Sequence, residues 1–169
     1  MSVHLKNDEY AGDHLATSIQ DILDSNTLCA IATVNDSNCS HIHTAYFAFD
    51  SSYHLFFLSD PDTRHCRNLA KNPTVAVAIY DSRQPWEQSK RGLQLFGSCL
   101  EAAGRLKVQA HLKYVARFVG YGSWFHALSA AERKAFRSRF YAIRVDSLTL
   151  FDEVTFGEEV FVPVVIERS

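Results

Sequence analysis

The chain has 169 residues, with 17 Lys+Arg against 19 Asp+Glu for a net charge of −2, and 47% of its residues are hydrophobic. A chain this long buries a core without disulfide staples, and its near-neutral balance argues against a nucleic-acid binder held by phosphate contacts. No apolar run approaches the roughly 18 residues that span a bilayer, and the polar start Met1-Ser2-Val3-His4-Leu5-Lys6-Asn7-Asp8-Glu9 is unlike a signal peptide, so a cytoplasmic protein with no membrane contact is expected.

Residues 1–12 carry no period and read as a flexible arm, leaving 13–169 as one domain. After Asp13, a suitable N-cap, Leu15, Ile19, Ile22 and Leu23 share one helical face. Leu28, Ala30, Ala32 and Val34 then alternate with Cys29, Ile31 and Thr33, which predicts a strand buried on both faces. Turn residues Asn35-Asp36-Ser37-Asn38 lead to a second strand over 40–49, and Asp50-Ser51-Ser52 to a third over 53–59, an expected antiparallel meander. Asp60-Pro61-Asp62-Thr63 predicts a helix capped by Asp60 and running to Lys71, before Asn72-Pro73 ends it.

In a fourth strand over 74–80, Val75, Val77 and Ile79 alternate with Ala76 and Ala78, large on one side and small on the other, which suits a tapered barrel wall. A polar loop with Pro85-Trp86 precedes a fifth strand over 92–102, in which Gly97 marks a bulge or bend. Val108, Leu112, Val115 and Val119 predict a helix over 105–119, and Ser129 with Glu132 forms a capping box for another over 130–139. A sixth strand over 141–150 and a candidate seventh over 159–166 follow. The class is mainly β, with flanking helices. Cys29, Cys39, Cys66 and Cys99 show no C-x-x-C spacing and read as free buried thiols.

Ser59, Thr63, Arg64 and His65 cluster where a strand gives way to a helix. Free backbone N–H groups favour an anion there, a guanidinium adds a fork matched to phosphate oxygens, and hydroxyls add neutral donors. A cation in a first helical turn is itself unfavourable unless something negative sits beside it. His41 and His43 lie two apart on one strand face, but no Asp, Glu or Cys completes a metal ligand set, so no metal is expected. Lining a binding groove is the better role for them. No Ser/His/Asp or Cys/His pattern assigns a catalytic residue, and Lys71, Lys90, Arg91 and Arg105 make no basic stripe.

The stretch Leu55-Phe56-Phe57-Leu58-Ser59-Asp60-Pro61-Asp62-Thr63-Arg64-His65-Cys66-Arg67-Asn68-Leu69-Ala70-Lys71-Asn72-Pro73 resembles the FMN-binding split-barrel family, the relatives of pyridoxamine 5′-phosphate oxidase. Ser40-His41-Ile42-His43-Thr44-Ala45-Tyr46-Phe47 and Arg91-Gly92-Leu93-Gln94-Leu95-Phe96-Gly97 are similar to two further strands of that family, and the resemblance spans about residues 13–152. It implies a six-stranded antiparallel split β-barrel with flanking helices, and FMN as cofactor. Arg64 and His65 would hold the phosphate, Ser59 and Thr63 would donate hydroxyls beside Leu58, and His43, Thr44, Ala45 and Tyr46 would run along the flavin. A barrel of this size is filled by its own side chains, which agrees with the family habit of binding FMN between two protomers; a homodimer acting on a small molecule is implied.

Several positions depart from the oxidase pattern. His43 replaces an arginine, His65 a lysine, and Gly92 a flavin-contacting glutamine, for which Gln94 is the nearest substitute. The Arg-x-His element that grips the oxidase's substrate has no counterpart in Val164-Val165-Ile166-Glu167-Arg168-Ser169, so the oxidase activity itself is not expected. The leading expectation is an FMN-dependent oxidoreductase of another substrate. The alternatives are a flavin or haem binding and sensing protein, with His43, His111 or His126 as axial ligand, and a deazaflavin-dependent reductase.

Overall fold

The structure, a computed structural model, describes residues 3–169. Helix α1 (Gly12–Ser25) buries the expected face of Leu15, Ile19, Ile22 and Leu23, although its N-cap is Ala11, so that Asp13 lies within the first turn. Strands β2 (Leu28–Val34) and β3 (Ser40–Tyr46) form the first hairpin. The expected second strand breaks at Phe47, whose ring is fully buried, and a two-residue β4 (Ala48–Phe49) turns into β5 (His54–Ser59).

The predicted meander stops there. β5 pairs along its whole length with β8 (Arg139–Asp152) and makes no ladder with β3. Leu55, Phe56 and Phe57 are buried in succession, so β5, although it borders the split, is covered on both faces, by the barrel core on one side and the helical insert on the other.

With β6 (Thr74–Tyr80) and β7 (Arg91–Glu101), six strands follow the order β3-β2-β6-β7-β8-β5, an open antiparallel barrel split between β3 and β5. Two more strands extend the lower half of β8: β9 (Phe161–Arg168), anticipated near 159–166, and β1 (Val3–Lys6). Over residues 3–6 the chain departs from the expected flexible arm, because Val3 to Lys6 pair in register with Arg168 to Val165 and Val3 and Leu5 pack on the core; the first two residues of that arm lie outside the described residues.

Gly97 is where β8 changes partners. The β7–β8 register slips between Phe96 and Gly97 and passes over Asp146. A Cβ built on Gly97 would stand 2.0 Å from the Arg144 carbonyl oxygen, so only glycine allows the strands to approach here.

The helical insert follows a different division from the expected one. α3 (Gly104–Arg117) ends at Phe118 and α4 (Val119–Ala127) starts afresh. The stripe chosen from spacing is the outward one, with Val108, Leu112 and Val119 60%, 61% and 77% exposed, while Ala110 and Tyr114 face the sheet. Together with Phe56, Phe140 and Ala142 they form a second small core outside the barrel. Arg117 donates to the carbonyls of Leu23 (2.6 Å) and Asn26, fastening the insert to the end of α1. α5 (Ala130–Ala135) has the expected capping box, Ser129 N–H to Glu132 Oε2 at 2.8 Å and Glu132 N–H to Ser129 Oγ at 3.3 Å. It stops early because β8 already begins at Arg139. A short α6 (Glu153–Phe156) leads into β9.

Gly97→Ala should lower the unfolding free energy by about 3 kcal/mol, the upper end for overpacking, because backbone rather than a pliant side chain must move. Urea denaturation measures this; a loss below about 0.5 kcal/mol would show that the bulge relaxes freely.

Candidate functional site

Alternation along β3 sends His41, His43 and Ala45 toward the barrel and Ile42, Thr44 and Tyr46 outward. Across the split stands α2 (Arg64–Leu69), which begins four residues after Asp60 rather than directly at it. Asp60 closes the preceding turn instead, its carboxylate accepting from the Asp62 N–H at 2.8 Å and its carbonyl from the Thr63 hydroxyl at 2.8 Å. Buried Cys66 and Leu69 seat α2 on the core, and buried Asn68 donates to Thr33 Oγ1 at 3.1 Å, which ties it to β2.

That seating stacks three imidazoles. The rings of His43 and His65 are 3.6 Å apart and 7° from parallel, and His41 lies 6.3 Å from each in nearly the same orientation. His65 Nε2 meets Ser59 Oγ at 2.7 Å and Thr63 Oγ1 at 3.0 Å. Neither ring nitrogen of His43 has a hydrogen-bond partner of good geometry. Burial first, then the neighbouring His65 and His41, push its pKa down to about 4, and the Ile31 backbone opposes this only weakly. Burial and His41 depress His65 in the same direction. His43 and His65 are therefore neutral at pH 7. Among the described residues no group of three or more His, Cys, Asp or Glu is placed to hold a metal ion.

Arg64 is exposed and makes no ion pair among the described residues. The nearby carboxylates are already engaged: Arg137 reaches Asp60 Oδ2 at 3.3 Å and also pairs with Asp62. With only six residues, α2 contributes little dipole, so any affinity for an anion rests on the Arg64 guanidinium and the hydroxyls of Ser59 and Thr63.

The remaining sequence candidates fall elsewhere. Tyr46 and Leu58 line a cavity of about 590 Å³ beside Tyr114, Phe118 and Tyr121. The sequence reading missed these three aromatics, although their spacing of 4 and 3 is itself a helical stripe. Thr44 and Gln94 occupy the outer sheet face, on the cross-strand row Thr44–Ala30–Ala78–Gln94. Three strand spacings separate them, about 14 Å, so one chain does not bring Gln94 to the flavin-contact positions expected of β3. Ala45 packs inward against the core.

That outer face has its own character. Ala30, Ala32, Ala76 and Ala78 form its low centre, and exposed Leu28, Ile42, Tyr46, Tyr80 and Phe96 surround them. β2, expected to be buried on both faces, is thus buried on one, and the small residues of the barrel wall lie outside.

An open antiparallel barrel with flanking helices and a polar strand-to-helix junction defines a split-barrel protein. The family model for pyridoxamine 5′-phosphate oxidase matches residues 15–151, and the chain belongs to that family. Among curated proteins none matches the sequence. Solved structures share the fold at low identity. The heme storage protein HutZ of Vibrio cholerae is 18% identical with a TM-score of 0.65, the match covering 80% of this chain and 94% of that one. A heme binding protein of Mycobacterium smegmatis is 14% identical with a TM-score of 0.69, covering 93% of this chain and 59% of that longer one. An FAD-binding protein of Mesorhizobium loti is 16% identical with a TM-score of 0.59, covering 88% and 96%. Among the described residues no helix is long and apolar enough to cross a membrane.

The stack predicts a pH dependence. Unfolded histidine titrates near pH 6.5 and folded His43 at about 4, so within that window the unfolded chain binds more protons and stability falls as pH falls. Urea unfolding at pH 7 and pH 5 should show this loss, and His43→Phe, which keeps a flat ring without a titrating nitrogen, should reduce it. An unchanged slope in the variant would place the acid sensitivity elsewhere.

Proposed function

We propose that the chain is an FMN-binding oxidoreductase that works as a homodimer, with its flavin sites at the seam between copies. The observation that carries this reading is the exposed guanidinium of Arg64 at the Ser59–Thr63 junction, which makes no ion pair among the described residues while Arg137 occupies both adjacent carboxylates. Free positive charge and neutral donors converge there, as a phosphate monoester requires.

The residues fit the group, in a particular way. Arg64 would hold the phosphate by charge-assisted hydrogen bonds and Ser59 by a neutral one, with Thr63 adding another once its hydroxyl turned away from the Asp60 carbonyl. His65, kept neutral, would serve as a hydrogen-bond partner and not as a second fixed cation. The barrel interior is filled by its own core, so a flavin ring would lie outside it, where Tyr46 and Leu58 meet the aromatic wall of α3 and α4. When bound, FMN supplies two-electron redox chemistry; the protein orients it and excludes water.

The homodimer is supported by the outer sheet face. A low patch of alanines ringed by exposed apolar side chains is larger than scattered surface hydrophobics require, and a two-fold partner presents the same patch in return. A second copy there would also bring Thr44 and Gln94 to an intermolecular site.

Haem binding is the second reading, favoured by the two haem proteins among the structural neighbours. His43 is closed within the stack, which leaves His111 and His126 as ligand candidates. The visible spectrum separates the readings: flavin gives two broad bands, haem one intense Soret band.

Titration of apo protein with FMN should show Arg64→Ala weakening affinity by about ten-fold or more, since a charged hydrogen bond contributes roughly 1.5–3 kcal/mol. Equal affinity in variant and wild type would sink the phosphate assignment. Ala78→Arg, a long cation in the centre of the apolar face, should convert a dimer into monomers by light scattering and release FMN. A wild-type monomer that retains FMN would refute the seam.

A further inference from the structure

Outside the barrel lies a second cavity of about 590 Å³, which adjoins the one beside Tyr46 through the shared Leu58 and Tyr121 but is otherwise lined by residues the flavin reading does not use. Its volume is typical of sites that enclose a small organic ligand. The floor is the outer core at Leu58 and Phe140, and α3, α4 and the segment joining α5 to β8 close over it.

The lining combines two chemistries. One wall is aromatic and flat: Tyr121 and Phe125 lie 5.8 Å apart and 25° from parallel, and His111 meets Phe125 at 5.0 Å and Phe140 at 6.0 Å, both edge to face. Phe136 extends this wall, 5.3 Å from Trp124. Apart from the Tyr121 and Ser138 hydroxyls and neutral His111, the polar side chains are all cations, Lys107, Arg133 and Arg139, with no carboxylate among the lining residues. Arg139 is partly committed, its Nη1 donating to the Arg137 carbonyl at 2.7 Å and its Nε standing 3.9 Å from Glu101. Lys107 and Arg133 make no ion pair or side-chain hydrogen bond among the described residues. Two uncommitted cations at the mouth of a low-dielectric slot create a field that an anion relieves. Rigid ring walls favour a flat apolar body over a flexible chain, because stacking and edge contacts form at little entropic cost.

We propose that this cavity is a second binding site, specific for a small aromatic anion: a planar ring held between Tyr121, Phe125 and Phe136, with a carboxylate or sulfonate facing Lys107 and Arg133. The site is separate from the Arg64 junction and does not depend on the flavin reading.

The test is calorimetry on the full chain with 1-naphthoate and its uncharged analogue 1-naphthalenemethanol. Naphthoate should bind saturably, at least about ten-fold more tightly than the alcohol, and more weakly as salt rises. The Lys107→Ala/Arg133→Ala pair, at exposed positions where circular dichroism should confirm an unchanged fold, should remove that advantage while leaving the alcohol and FMN affinities alone. Arg133→Glu should weaken naphthoate further. Arg64→Ala should reduce FMN binding and leave naphthoate unaffected, so the two sites stand or fall separately. Equal affinity for acid and alcohol, naphthoate binding insensitive to the cation variants, or no saturable binding at millimolar probe would each overturn the proposal.

Discussion

The seam between β3 and β5 is where the sheet fails to close, and imidazole rings rather than backbone hydrogen bonds span it. His43 reaches across to Phe57 on β5, at 5.7 Å, and to His65 at the start of α2. This works only while the rings are uncharged. Two imidazolium groups 3.6 Å apart would repel by several kcal/mol even at an effective dielectric of about 20. Burial and mutual proximity suppress protonation, so the same packing that closes the seam keeps it neutral. α2 is held in place from the other side by Asn68 on Thr33, and Arg64 therefore projects from a fixed turn rather than a loose loop.

Much of this was legible in the sequence, and the failures have physical causes. β6 was readable because large and small residues alternate strictly, and Gly97 because a lone glycine weakens an apolar strand unless a bulge or a close backbone approach requires it. The partner of β5 was not readable. A turn of two or three residues suggests pairing with the preceding strand, and β4 supplies only two residues of it, whereas Leu55-Phe56-Phe57 needs cover on both faces, which the barrel core and the helical insert supply while β8 takes the full-length ladder. The insert misled in another way. It carries two apolar stripes, and spacing ranks both equally; Tyr114 won because its ring packs beside Phe118 and Phe140, which Val108 and Leu112 do not approach.

The junction after β5 was legible as a group of residues but not as a charge state. Ser59, Thr63 and His65 do come together, yet nothing in the residue order hints that three histidines from two separate segments would stack, or that burial would keep His43 and His65 neutral. Nor does it reveal that Arg137, more than seventy residues along the chain, pairs with both Asp60 and Asp62. Both effects arise only when β3, α2 and the start of β8 are brought together. Together they leave Arg64 as the cation at this junction that has no ion pair among the described residues.

The buried thiols narrow the remaining possibilities. Burial raises Cys29 to about 12 despite a hydrogen bond to Ala45, and raises Cys99 further, with Cys66 contributing. At neutral pH both are fully protonated and inert as nucleophiles, and the exposed Cys39 lies in the β2–β3 turn away from the seam. The barrel core is therefore structural, and the groups free to meet a ligand are displaced to its outside: Arg64 and the hydroxyls at the junction, Tyr46 with the α3–α4 aromatics, and the apolar sheet face.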